Sequence, residues 1–289
     1  MKERHCKRRV QSLIIVVFCI VFIQKVPSWL VSHGTQFLIS NGILVHPIRR
    51  LAKLGLFPTL LSLTENIGAF FTAVLFLIFF RELQSRVKGK GNTGNNIFMK
   101  KSDANRLCLL GLMGAGAAQA ITFCLKLLPA DMQAAYGASM SIALNGRLAC
   151  FLFIITHIII VPVREEMVFR GLSYEILRSS WGWGGCTLLL TILFAGNHRN
   201  AIQIAYALFM GALLSVIREF YGSVLYTIAF HIMFNLSGSH IFLSEYMEFF
   251  MYTGTIVFII SVILVALDMK EMRTRELTER SIRIDRPGK

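Results

Sequence analysis

Carboxylates are scarce in this chain. Its 289 residues hold 16 Asp and Glu against 30 Lys and Arg, a formal net charge of +14, and charged side chains make up only 16% of it. An ordinary soluble domain carries about 25%, so the polar coat that a water-soluble monomer needs is missing. A hydrophobic content of 55% excludes intrinsic disorder as well. Cysteines are few and unpaired in pattern. Cys6, Cys19, Cys108, Cys124, Cys150 and Cys186 form no CxxC, and most lie in or beside apolar runs. They read as small hydrophobes, which argues against a disulfide framework or a zinc knuckle. There is no HExxH, no internal repeat and no low-complexity block.

Long apolar runs are what the chain has instead, the first interrupted by Lys25 and the second by Glu65, most of them near the roughly 20 residues that cross a bilayer as a helix. They cover about residues 10–31, 60–80, 107–125, 148–163, 183–195, 201–217, 222–243 and 249–267. The fold class is therefore all-α, a polytopic transmembrane helical bundle with about eight membrane spans. The basic start followed by Leu13 to Ile23 has the outline of a signal peptide. Gln24-Lys25-Val26-Pro27 follows in place of a small-residue cleavage site, so the segment reads as an uncleaved first span.

The excess bases gather at residues 2–9, 81–106 and 273–289. That distribution follows the positive-inside rule and places both termini and the 88–101 loop in the cytoplasm, beside anionic lipid. It gives no basic stripe interleaved with stacking aromatics, so nucleic acid is not a partner. Arg49, Arg50 and Lys53 fall on the other side. The segment 32–59 that carries them suits an interfacial amphipathic helix. In the third run, Gly111, Gly114, Gly116 and Ala118 supply small residues for close helix packing.

Ionisable residues that interrupt apolar runs are costly, and so are candidates for function. Three clusters stand out, all in the second half. The first is Glu165-Glu166-Met167-Val168-Phe169-Arg170-Gly171. Neighbours on a helix point about 100° apart, and Glu166 precedes Arg170 by four residues in the favourable order for an ion pair. Glu165 is then free to face a cavity. The second is Phe194-Ala195-Gly196-Asn197-His198. The third is His231-Ile232-Met233-Phe234-Asn235, with His231 and Asn235 one turn apart on one face. Each alone also has an ordinary reading: a solvated helix end, an interfacial histidine, an interhelical hydrogen-bond pair. His157 and His240 read as satisfied core histidines, and Asp131 and Glu65 as helix-end residues.

Taken together and in order, the clusters resemble the CAAX protease and bacteriocin-processing (CPBP, or Abi) family of intramembrane proteases, which includes the Ras-converting type of prenyl-protein endopeptidase. The motifs EExxxR, FxxxH and HxxxN are intact as Glu165-Glu166…Arg170, Phe194…His198 and His231…Asn235. Phe169-Arg170-Gly171, Phe209…Gly211 and Tyr221-Gly222-Ser223-Val224-Leu225 resemble the surrounding family pattern. The likeness spans about residues 148–240. It divides the chain into N-terminal transmembrane helices without a recognised motif (1–130), a protease core (131–268) and a basic cytoplasmic tail (269–289).

The resemblance implies an intramembrane endopeptidase that hydrolyses a peptide bond in a membrane-associated peptide or protein. Glu165 and His198 would activate water, and His231 and Asn235 would form the oxyanion site. Glu166, Arg170 and Phe194 would support them. No cofactor is expected. A divalent metal such as zinc is the alternative, held by Glu165, His198 and His231, the ligand types of many zinc hydrolases. If the histidines held metal, the oxyanion role of His231 would fail. The competing function is a non-catalytic membrane protein that binds a peptide, in bacteriocin self-immunity or as a scaffold. The bilayer is the other partner implied, and the oligomeric state is left open. A bacterial cytoplasmic membrane is the expected location, with the endoplasmic reticulum membrane as alternative. One geometric demand follows. The three motifs must meet at one depth, either because the fourth helix continues through Arg170 or because the fifth enters late. A water-filled cavity open to the cytoplasm would accommodate both.

Overall fold

The computed structural model describes residues 2–88, 103–140, 146–239 and 246–284. His240, most of the basic 88–101 loop and the last five residues lie outside them. In chain order the helices are α1 (Lys2–Ser40), α2 (Val45–Lys53), α3 (Phe57–Lys88), α4 (Ala104–Lys126), α5 (Ala130–Met140), α6 (Gly146–Phe153), α7 (Val161–Glu166), α8 (Tyr174–Ala195), α9 (Ala201–Tyr221), α10 (Val224–Gly238) and α11 (Met247–Ile284). Two π-helical turns, Ile154–Ile160 and Met167–Ser173, join α6 to α7 and α7 to α8. No strand occurs among the described residues.

Burial is inverted relative to a soluble protein. Glu166, Arg170, Ser173, Ser215 and Thr227 are sealed inside, while Phe71, Leu75 and Phe79 on α3 and Ile256, Ile260 and Ile263 on α11 point outward. Lipid accepts apolar side chains at no cost, and polar ones must find partners within the bundle. Six of the described helical runs are long and apolar enough to cross a membrane. The chain is an integral membrane protein.

Three of the eight apolar stretches take forms of their own. The fourth and fifth belong to one run, 146–195. The chain reverses inside it at Gly182, whose φ of 69° lies in the left-handed region that favours glycine. The reversal is visible in the contacts across it. The Phe169 and Phe194 rings meet at 5.3 Å, and the Cys186 thiol lies 3.8 Å from the Tyr174 carbonyl. The seventh stretch is α10, 15 residues long. The 32–59 segment does contain a short helix, α2, which carries Arg49, Arg50 and Lys53.

The third apolar run packs as its small residues require. A Cβ on Gly114 would lie 2.1 Å from the Phe230 carbonyl oxygen of α10, and one on Gly116 would lie 2.7 Å from the Phe258 nitrogen of α11. α4 is thus pressed between α10 and α11 at backbone distance. Ion pairs fasten both ends of this layer. Arg106 binds Asp268 through two nitrogens, at 2.8 and 3.0 Å, and Lys126 pairs with Glu248 at 3.2 Å. The N-terminal helices belong to the same bundle. Ser28 and Ser32 of α1 donate to Glu65 of α3 at 2.9 and 2.7 Å, so Glu65 is a bonded link between spans and not a helix end.

Candidate active site

The site begins with a helix that cannot keep its regular hydrogen bonding. Pro162 has no N–H, and around it the backbone widens into the first π-helical turn, where Val161 N–H reaches the Thr156 carbonyl five residues back. In that register the donor for the His157 carbonyl would be Pro162, which has none. The carbonyl takes a side chain instead: Asn235 Nδ2 donates to it at 2.9 Å. One amide proton of Asn235 is thereby fixed, and the other stays available to the site.

The short α7 presents the two glutamates in different directions, as their adjacency demands. Glu166 is completely buried. Its Oε1 accepts from Arg170 Nη1 at 3.2 Å and from His231 Nδ1 at 2.9 Å. Arg170, also completely buried, donates through Nη2 to the Gly211 carbonyl at 3.0 Å. Its guanidinium lies 4.6 Å from the centre of the Phe194 ring. That cation–π contact gives the phenylalanine of FxxxH a physical role. Gly211 is needed because a Cβ there would lie 3.0 Å from the Thr191 Cα of α8. Arg218 extends the network, donating to the Arg170 carbonyl at 2.9 Å and pairing with Glu175 at 2.7 Å.

Glu165 turns toward a cavity. One oxygen lies 3.3 Å from Arg164 Nη2, and the other lies 4.0 Å from His231 Nε2. Arg164 is held in turn by Asn66 of α3, whose Oδ1 accepts from Nη1 at 2.8 Å. His198 sits just past the end of α8, with Nδ1 3.0 Å from the Phe194 carbonyl. A carbonyl can only accept, so the proton is on Nδ1, and Nε2 of the neutral ring offers a lone pair. The same reasoning applies to His231, whose Nδ1 faces the Glu166 carboxylate.

A cavity of about 240 Å³ is lined by Glu165, His198, His231 and Asn235 together with His157, Gln203, Tyr206 and Met210. The bundle therefore brings all four sequence-nominated catalytic residues to one space. The fourth helix does continue through Arg170, and the Gly182 reversal returns the chain so that His198 arrives at the level of Glu165. His157 departs from the sequence reading. It lines the cavity, with Ser62 Oγ 3.4 Å from its Nε2. Its position two turns before Glu165 was the available signal. Gln203, Ala207 and Met210 follow a helical face of α9, which only the structure aims at the site. Asn66 and Arg164 had no motif to mark them.

The zinc alternative meets a geometric obstacle. Among the described residues no three His, Cys, Asp or Glu side chains are grouped so as to hold a metal ion. His231 gives Nδ1 to Glu166, and its Nε2 lies 4.0 Å from Glu165.

Residues 147–237 match the family described as type II CAAX prenyl endopeptidase, Rce1-like. The Rce1-like segment is about a third of the chain and contains every residue of the three motifs, in agreement with membership of the CPBP family. It excludes Asn66 and the rest of α1 to α5, which pack around it. No curated protein and no solved structure matches the chain.

Proposed function

We propose that the protein is an intramembrane endopeptidase that cuts a membrane-associated peptide or protein by water activated between Glu165 and His198. The observation that carries this reading is the convergence of Glu165, His198, His231 and Asn235, from three separate segments, on one partly enclosed cavity. Water held between the Glu165 carboxylate and His198 Nε2 loses a proton to the pair as its oxygen attacks the scissile carbonyl. The proton then passes to the leaving amine. The second N–H of Asn235 faces the developing oxyanion. His231 Nε2 can donate to that oxyanion only when the ring carries both protons, because Nδ1–H is committed to Glu166. Asn235 is thus the donor available to the oxyanion. Glu166, Arg170 and Phe194 hold His231 and the α7 backbone in place. No metal takes part in this scheme.

The family name supplies the first probe, a fluorogenic farnesylated tail peptide, tested beside its unprenylated counterpart in proteoliposomes. The wild-type protein cleaves at least one of them, without added metal and in the presence of chelator. Asn235→Ala lowers kcat by about 10²–10³-fold, the usual loss for one oxyanion donor. Glu165→Gln and His198→Ala each abolish most of the turnover. Wild-type rates in all the variants would refute the reading. Retention of a peptide-binding or protective phenotype by the same inactive variants would favour the non-catalytic role.

A further inference from the structure

The bundle has two unlike ends, and the catalytic cavity is close to only one of them. One end is marked by the Gly182 reversal, where Arg9 Nε donates to the Ser180 carbonyl at 3.2 Å and the Trp181 indole donates to the Arg9 carbonyl. The helix ends gathered there are basic: Lys7, Arg8 and Arg9 on α1, Arg106 on α4, and Lys270 and Arg273 on α11 beyond the Arg106–Asp268 pair. From Ser180 back to Glu165 the helical run is fifteen residues, seven of them in the second π-helical turn. From Trp183 forward to His198 the return arm spans as many. His198 and Gln203, at the ends of α8 and α9 away from Gly182, put one side of the site at the end remote from the basic one.

A second cavity is found at that remote end. It is wide open, about 520 Å³, and lined by Ser139, Asn197, His198, Arg199, Asn200 and Gln203. His198 and Gln203 line the inner cavity too, so the outer space is the vestibule of the inner one. Every lining group is polar and none is a carboxylate. Asn200 Nδ2 donates to Ser139 Oγ at 2.9 Å across the mouth, and Asn197 is tied to Gln24 of α1 at 2.6 Å. Such a lining is suited to water and to the amide groups of an extended peptide, and unsuited to lipid chains.

We infer that the active site opens through the Ser139–Gln203 vestibule to the side of the membrane opposite the basic helix ends, and receives a peptide segment held at the outer leaflet. By the positive-inside rule the basic end is cytoplasmic, so substrate and water arrive from the extracytoplasmic side. The sequence reading expected a cytoplasmic opening, and this inference places it on the opposite side, because the vestibule joins the cavity at the His198 end. The assignment of substrate rests on the hydrolase reading above, whereas the sidedness of the mouth does not.

The test uses the full chain with Cys6, which is exposed on α1, as its single native cysteine. Ser139→Cys is added in one variant and Arg199→Cys in another. A bulky membrane-impermeant maleimide is applied to right-side-out and to inverted vesicles. Cys6 labels only in inverted vesicles, and either vestibule cysteine labels only in right-side-out ones. Labelling of Cys6 and the vestibule cysteines from the same side overturns the inference, whether or not any peptide is cut. Modification of the vestibule cysteine also abolishes cleavage of the farnesylated probe. If labelling is complete and cleavage is unchanged, the vestibule is not the entrance. If wild-type protein cuts neither probe peptide, the hydrolase reading is what has failed, and the labelling pattern still decides the side.

Discussion

Arg170 and Glu166 form a demanding contact, since both side chains are wholly buried. Removing one partner of such a pair leaves an uncompensated charge and costs about 3–5 kcal/mol. Arg170→Met should therefore lower the unfolding midpoint in detergent sharply, while Glu166→Gln combined with Arg170→Met should recover part of the loss. A double variant no more stable than the single one would show that the pair is not the source of the effect. Asn66 acts at one remove, through Arg164 on Glu165. Asn66→Ala should lower kcat by about tenfold or more with KM unchanged, as small misplacements of a catalytic group do, and Asn66→Asp should restore much of it. Unchanged kcat in Asn66→Ala would remove Asn66 from the site. The motif residues were legible because a carboxylate or histidine inside an apolar run has few structural excuses. Asn66 and Arg164 were not, because neither belongs to a motif and their meeting depends on α3 lying against α7.

At the level of elements, the arrangement turns on places where the regular helix fails. Pro162 and the π-helical turn release the His157 carbonyl to Asn235, and Gly182 folds the run back so that Phe194 and His198 rejoin Glu165 and Arg170. The sequence showed the apolar stretches on either side of Gly182, but the left-handed glycine between them looked like any other. The glycines of α4 were readable as packing residues, and the structure supplies their targets. A side chain at Gly114 must displace the α10 backbone, which carries His231 and Asn235. Gly114→Val should cost about 1–3 kcal/mol by overpacking and depress kcat, while Gly184→Ala, which meets open space, should leave both unchanged. Thermal unfolding and turnover measured on the same preparations test this, and equal behaviour of the two variants would contradict it.

Across the whole molecule, the net charge of +14 comes from bases gathered in a few segments of the chain, while the few buried acids gather around the candidate site. The N-terminal helices carry no family motif, yet they complete the site by holding Arg164 and walling His157, so they are part of one apparatus with the Rce1-like segment. The proposed hydrolysis depends on Glu165 being the group that activates water, with His198 as its partner. The most direct test is the turnover of Glu165→Gln, an isosteric change, compared with His198→Ala and with the double variant in proteoliposomes. The account predicts a loss of about 10²–10⁴-fold for each single change, with the double variant no worse than the poorer single one, as for residues that act as a unit. Wild-type turnover in a folded Glu165→Gln protein would contradict it.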